Sequence, residues 1–264
     1  MTKPDIYLQL TAAGEGIDRL VAGLDASGWT RVTPAPGWTV AHQVAHLTAT
    51  FQLAELSVRA PEKFEKLTAG LSPNFDANVR HAMAPHLAEP HDVLFRRWQA
   101  QRTAVDEALA ATPPSQPVPW LVRPLPAAVL AAAGMMEIFA HGQDIADALG
   151  VRREPPPGLR HTVEFITRTW DFGYQARGIA TPGVQLRFEV TAPDGEIWGL
   201  GPADSDERIT GPAVDLCLLA TRRRHRADLA LAASGAEADR WLDIAQAYRG
   251  PAGEGRTPGQ FAAA

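Results

Sequence analysis

The chain has 264 residues, 45% of them hydrophobic and 21% charged, which is ordinary for a globular protein and long enough to bury one large core or two modest ones. A net charge of −5 leaves no basic excess to hold a phosphate backbone, so no nucleic-acid partner is expected. The longest apolar run, AAVLAAAGMM at 127–136, falls short of the roughly 20 residues a membrane helix needs, and the start MTKPDIYLQL carries no basic-then-apolar signal pattern; the expectation is a cytoplasmic protein without a membrane partner.

Apolar residues Ile6, Leu10, Ile17, Leu20, Val21 and Leu24 recur at helical spacings and predict a first helix ending before the SGW break at 27–29. After TPAPGW, Thr39 is suited to cap a second helix running to about Val58. The segment 61–90 is mixed, with a short helix over 61–69 and a looser run beyond LSPNFD. Its histidines His81, His86 and His91 are read as surface or loop residues. Val93, Leu94, Trp98, Val105 and Leu109 line one face of a third helix that TPPSQPVP ends, and a fourth runs from about Pro126 to Leu149 and stops at Gly150. Four such helices predict a bundle.

The three prolines of REPPPG (153–158) cannot continue a helix and mark a domain boundary, giving a bundle over 1–152 and a second domain over 158–264. The second domain reads as one helix across LRHTVEFITRTWDFGYQAR (159–177), a strand VQLRFEV (184–190), a PDG turn and a strand EIWGL (196–200). There follow a helix through PAVDLCLLATRR (212–223), a strand DLALAAS (228–234) and a helix ADRWLDIAQAY (238–248). The fold class is therefore mixed: a four-helix bundle followed by a smaller α+β domain. Cys217, the single cysteine, excludes an internal disulfide and lies in the apolar run VDLCLLA as a core thiol.

His42 and His46 are one helical turn apart, and Glu137 and His141 repeat that spacing on the fourth helix with Asp144 one turn further on. Met135, Met136, Ile138, Phe139, Ala140 and Ile145 surround the second pair, so a carboxylate and an imidazole face an apolar interior. Each needs a partner there, and a divalent cation would serve both; a Glu–His hydrogen bond is the alternative. Two nitrogens and one carboxylate with an open position suit catalytic zinc, and also iron, nickel or manganese.

PGWTVAHQVAHL together with MMEIFAHGQDIADALG resembles the DinB-like metal-binding bundle of the mycothiol-dependent maleylpyruvate isomerase family, nearest to its actinobacterial branch of undefined function. In the second domain TAPDGEIWGLGP, ITGPAVDLCLLATRRRHRADL and DRWLDIAQAYRGP extend the resemblance over nearly the whole chain. It implies His46, Glu137 and His141 as metal ligands, with His42 one turn away as a pocket residue rather than a fourth ligand; His42, Asp144 on the Glu137–His141 face, and Arg223 are the candidate catalytic residues. It also implies mycothiol, a low-molecular-weight thiol, as cosubstrate, and an isomerase or thiol transferase acting on a small enoyl or maleyl-type electrophile. The basic run TRRRHR (221–226) either holds a carboxylate or the thiol through Arg222, Arg223 or Arg224, or is a solvated helix end. Trp38 is read as packing at the helix entry. The chain is expected to act as a monomer or homodimer. A thiol-independent hydrolase or lyase, and a binding module without catalysis, remain alternatives on the same site.

Overall fold

The computed structural model describes residues 5–261 and divides the chain into two compact units, 1–158 and 159–264. In the first unit the long helices are α1 (Asp5–Val21), α3 (Val40–Arg59), α6 (His91–Ala110) and α7 (Ala127–Leu149), with a four-residue turn, α2 (Ala26–Trp29), between the first two. Helix α1 packs on α6 and α7, and α3 packs on the same two, which makes a four-membered bundle. Its core is Tyr7, Leu10 and Ile17 from α1, Val44, Leu47 and Phe51 from α3, Leu94, Trp98 and Val105 from α6, and Leu130, Met135, Ile138 and Ile145 from α7. Burial of each large apolar side chain contributes about 1.5–3 kcal/mol. Between α1 and α6, part-buried Asp18 accepts from Trp98 Nε1 at 2.8 Å and from Arg102 Nη2 at 2.6 Å.

Two sequence expectations change here. SGW is not a break but the body of α2, whose entry Asp25 caps by accepting from Gly28 N–H. The mixed segment 61–90 holds two helices, α4 (Pro61–Ala69) and α5 (Phe75–Leu87). Pro61 starts the first, where its missing N–H costs nothing, and Asn74 caps the second by accepting from Ala77 N–H. Pro85 sits inside α5. His81 and His86 lie on α5, the first exposed as expected. His86 is buried, and His91 stacks on Trp29 at 5.4 Å. A two-residue pairing of β1 (Pro117–Val118) with β2 (Leu125–Pro126) leads into α7.

The second unit is α+β. Its sheet has the order β4–β3–β5–β6, from β3 (Arg187–Thr191), β4 (Ile197–Leu200), β5 (Arg208–Pro212) and β6 (Ala232–Ser234). Strands β3 and β4 form the antiparallel hairpin expected around PDG, whereas β5, which the sequence reading passes over, pairs with β3 in parallel. Phe188, Val190 and Ile209 turn inward with Leu216, Cys217 and Ala220 of α10 (Ala213–Ala220). The long helix expected over 159–177 is divided into α8 (Leu159–Arg168) and α9 (Phe172–Gln175), because Trp170 turns its carbonyl to Trp241 Nε1 at 2.7 Å. The last helix, α11 (Ala236–Ile244), starts and stops earlier than expected; beyond it Ala247 N–H bonds the Ala220 carbonyl at 2.9 Å.

Candidate metal centre

The loop before α3 builds one wall of the site. Val32 bridges Thr39, Thr33 N–H bonds the Trp38 carbonyl at 2.8 Å, and Gly37 supplies the left-handed residue (φ 76°) of the turn between them. Trp38 is thereby held above three imidazoles, with ring centroids 5.9 Å from His141 (stacked, 18°), 5.3 Å from His46 and 6.3 Å from His42. Packing at the helix entry, as read from the sequence, describes only part of this residue: its indole also covers the candidate ligands.

Thr39 begins α3, and His42 at its third position completes a capping box. His42 Nδ1 accepts from Thr39 N–H at 3.3 Å and lies 2.8 Å from Thr39 Oγ1. Burial holds the His42 pKa below its ordinary value. That ring nitrogen is thus spent on holding the helix start. One turn on, His46 Nε2 is 3.5 Å from Glu137 Oε2, and the same oxygen is 3.2 Å from His141 Nε2. The donor atoms of His46, Glu137 and His141 all lie within 4.8 Å of one another. Burial pushes the Glu137 carboxyl up, but hydrogen bonds from His141 and His46 and their charge outweigh it, so its pKa falls well below the usual carboxylate range.

These donors fit a divalent cation. Ligand atoms about 2.0–2.1 Å from a tetrahedral centre stand roughly 3.3–3.4 Å apart, and the two measured separations bracket that value. The set is two imidazoles and one carboxylate, as in hydrolytic and Lewis-acid zinc sites, and it leaves one position for another ligand. The side chains keep 18%, 21% and 11% exposure for His46, Glu137 and His141, so the cluster is not sealed from solvent.

Around the trio is a residue the sequence reading passes over. Gln43, fully buried on α3, places its Oε1 2.5 Å from His141 Nδ1, and its Nε2 donates to Thr33 Oγ1 at 2.9 Å and toward Asp144 Oδ2 at 3.5 Å. Asp144, expected beside the ligands, is itself fully buried, and Gln43 links it to His141. No local signal marks Gln43, because its partners on α7 are 98 and 101 residues away.

In the second unit the basic run does not continue a helix. Helix α10 ends at Ala220, and Arg222 adopts a left-handed conformation (φ 60°) in the turn that follows. Arg222 donates to the Gly253 carbonyl at 3.2 Å, Arg223 to the Thr221 carbonyl at 2.6 Å, and Arg224 to the Arg223 carbonyl at 2.7 Å while stacking over Phe261 at 3.9 Å. Arg222 and Arg224 line a cleft of about 130 Å³ with Arg226 and Arg256. Cys217 is buried, and burial raises its pKa far above the ordinary thiol value.

The first unit's fold is a helical bundle on which two histidines and a glutamate converge from two helices, an arrangement that could hold a metal ion. The comparisons with known proteins make it particular. Residues 10–146 match the family model of the mycothiol maleylpyruvate isomerase N-terminal domain, and the chain belongs to that family. It is 38% identical over 247 residues to a protein found in two strains of Mycobacterium tuberculosis and named there as uncharacterized, covering 94% of this chain and 96% of the relative. The fold is that of crystal structures of the mycothiol-dependent maleylpyruvate isomerase. A mutant of that enzyme aligns with a TM-score of 0.56 and the unmutated form with 0.54, each at 17% identity over 83% of this chain and 88% of the other. Among the described residues no helix is long and apolar enough to cross a membrane.

Proposed function

We propose that this protein is a metal-dependent enzyme that uses a low-molecular-weight thiol, mycothiol, to isomerise or thiolate a small enoyl or maleyl-type electrophile. The observation that carries this reading is the convergence of His46, Glu137 and His141, with both imidazoles 3.2–3.5 Å from one Glu137 oxygen and all three donors within 4.8 Å of one another; membership of the family supports the choice of thiol. A divalent ion held there, zinc by the chemistry of the donors, would stabilise the thiolate form of a thiol at the open position.

The chain's own residues divide the remaining work. His46 on α3 and the Glu137–His141 pair on α7 hold the site from two helices, so the bundle core fixes their separation. Trp38 closes one side of the imidazoles and keeps water from that face. Cys217, buried and hard to ionise, supplies no nucleophile, which is why the thiol must arrive as a cosubstrate. In the reaction the thiolate sulfur bonds the β-carbon of the activated alkene and the π pair moves onto the conjugated carbonyl oxygen. Rotation about the resulting single bond, re-formation of the alkene and loss of thiolate give the isomer; protonation at the α-carbon instead gives the retained thioether.

The test is turnover of a panel of maleyl and enoyl acids by the zinc-loaded full chain with and without mycothiol. Mycothiol-dependent turnover that His46→Ala abolishes is expected. Equal turnover without any thiol would contradict the thiol role, and select metal-assisted hydrolysis or a lyase reaction instead.

A further inference from the structure

We infer that Gln43 is the positioning residue that fixes the tautomer of His141 and so keeps its Nε2 lone pair available to the metal, an inference that rests on the metal-centre reading above. An amide oxygen only accepts hydrogen bonds, so the 2.5 Å contact between Gln43 Oε1 and His141 Nδ1 requires the hydrogen to be on Nδ1. The amide cannot turn over without loss. Its nitrogen faces Thr33 Oγ1 at 2.9 Å and the Asp144 carboxylate at 3.5 Å, and the Thr33 hydroxyl is itself committed as a donor to the Trp38 carbonyl at 2.9 Å. A flipped Gln43 would set its oxygen against those acceptors and its NH₂ against a ring N–H.

The consequence concerns the neutral ring that a cation requires, which has one hydrogen where the charged ring that donates to Glu137 has two. Glu137 Oε2 lies 3.2 Å from His141 Nε2 and competes for that hydrogen. Placed on Nε2, it would occupy the lone pair the ion needs; placed on Nδ1, it leaves Nε2 free to coordinate. Gln43 settles this competition from the opposite edge of the ring, and Trp38, stacked on its face at 18°, holds the ring plane. The four partners sit on regular structure or next to it: Gln43 in α3, His141 and Asp144 in α7, Thr33 beside the Val32–Thr39 bridge before α3. Gln43, Asp144 and the greater part of Thr33 and His141 are shielded from water, so solvent does not substitute for a lost partner.

The experiment uses the full chain. Long-range ¹⁵N–¹H NMR of the metal-free protein, with the His141 signals identified by their loss in His141→Gln, reads the tautomer, and chelator competition reads zinc affinity. The wild-type ring is expected as Nδ1–H, whereas Gln43→Leu moves it to Nε2–H and weakens zinc by roughly 10–100-fold. Gln43→Glu combined with Asp144→Asn restores an acceptor toward His141 and a donor behind it, and recovers most of both. A folded Gln43→Leu protein that keeps the Nδ1–H tautomer overturns the inference, whether or not its affinity falls. If Gln43→Leu does not fold, the double variant decides: Nδ1–H with recovered affinity supports the inference, and a folded protein that has lost both overturns it. Wild-type protein that binds zinc no better than His46→Ala would contradict the metal-centre reading, while the tautomer in the metal-free protein would still decide the role of Gln43.

Discussion

Helix α7 carries two of the three candidate ligands, and its conformation one residue beyond His141 depends on an unusual contact that can be tested directly. A Cβ built on Gly142 would stand 2.8–2.9 Å from the guanidinium atoms of Arg153. That guanidinium folds back onto the helix, donating to the Phe139 carbonyl at 2.7 Å and the Ile138 carbonyl at 3.4 Å and lying 5.7 Å from the centre of the Phe139 ring. Burial lowers its pKa to about 10 against the pull of Asp147. Gly142→Ala must expel it. The lost charge-assisted hydrogen bonding is worth about 1.5–3 kcal/mol and the cation–π contact about 0.5–1 kcal/mol. Against this, alanine gains about 1 kcal/mol over glycine inside a helix and the expelled guanidinium regains water. The net expectation is a loss of about 1–2 kcal/mol.

In an Arg153→Ala background the same substitution meets no guanidinium and should stabilise by about 1 kcal/mol. Urea unfolding of the four proteins of this cycle, metal-free and followed by circular dichroism and fluorescence, should therefore show Gly142→Ala changing sign between backgrounds, with a coupling of roughly 2–3 kcal/mol. Stabilisation by the same amount in both backgrounds would refute the reasoning, because it would mean that Arg153 yields its place at no cost.

Two further expectations follow from the first unit. An ion gripped by His46 on α3 and by Glu137 and His141 on α7 ties two helices together, so zinc at about 1,000 times its Kd should stabilise the protein by roughly 4 kcal/mol, or about 8–16 °C in Tm; an equal shift in His46→Ala would contradict this. Burial, and secondarily the Arg97 charge, holds buried His86 below its ordinary pKa of 6.5, with Glu89 opposing. The folded pKa is the lower one, so protonation favours the unfolded chain, and stability present above the unfolded value is lost as pH falls through it. His86→Leu should flatten the decline in unfolding free energy between about pH 8 and pH 5, and slopes identical to wild type would count against it.

The parts of this structure legible in the sequence are those governed by local period. Residues Glu137 and His141, four apart in an alanine-rich helix, face the same way in any α-helix, and Thr39 before an apolar run is a cap whatever surrounds it. The role of Gln43 is not local. Its partners His141 and Asp144 are 98 and 101 residues away, and nothing in HQVAH distinguishes an orienting amide from a solvated one. The same holds for the break between α8 and α9. There the Trp170 carbonyl accepts from Trp241 Nε1 of α11, a partner 71 residues away and invisible within LRHTVEFITRTWDFGYQAR. Strand β5 was hidden for a related reason: in RITGP only Ile209 is buried, so no alternation marks it, and its partner β3 precedes it by about twenty residues in parallel. In 61–90, by contrast, the signals were local but conflicting. Pro61 and Asn74 start helices as they should, and Pro85 reads as a stop although it lies in the last turn of α5.

The most direct measurement is metal content per chain, by inductively coupled plasma mass spectrometry, on the full chain purified without chelators or an affinity metal. About one equivalent of zinc or another divalent ion, lost in His46→Ala and in Glu137→Gln, is the expected result. No metal after reconstitution, or the same content in wild type and both variants, would contradict the metal centre and leave His46, Glu137 and His141 as a hydrogen-bonded cluster at the heart of the bundle.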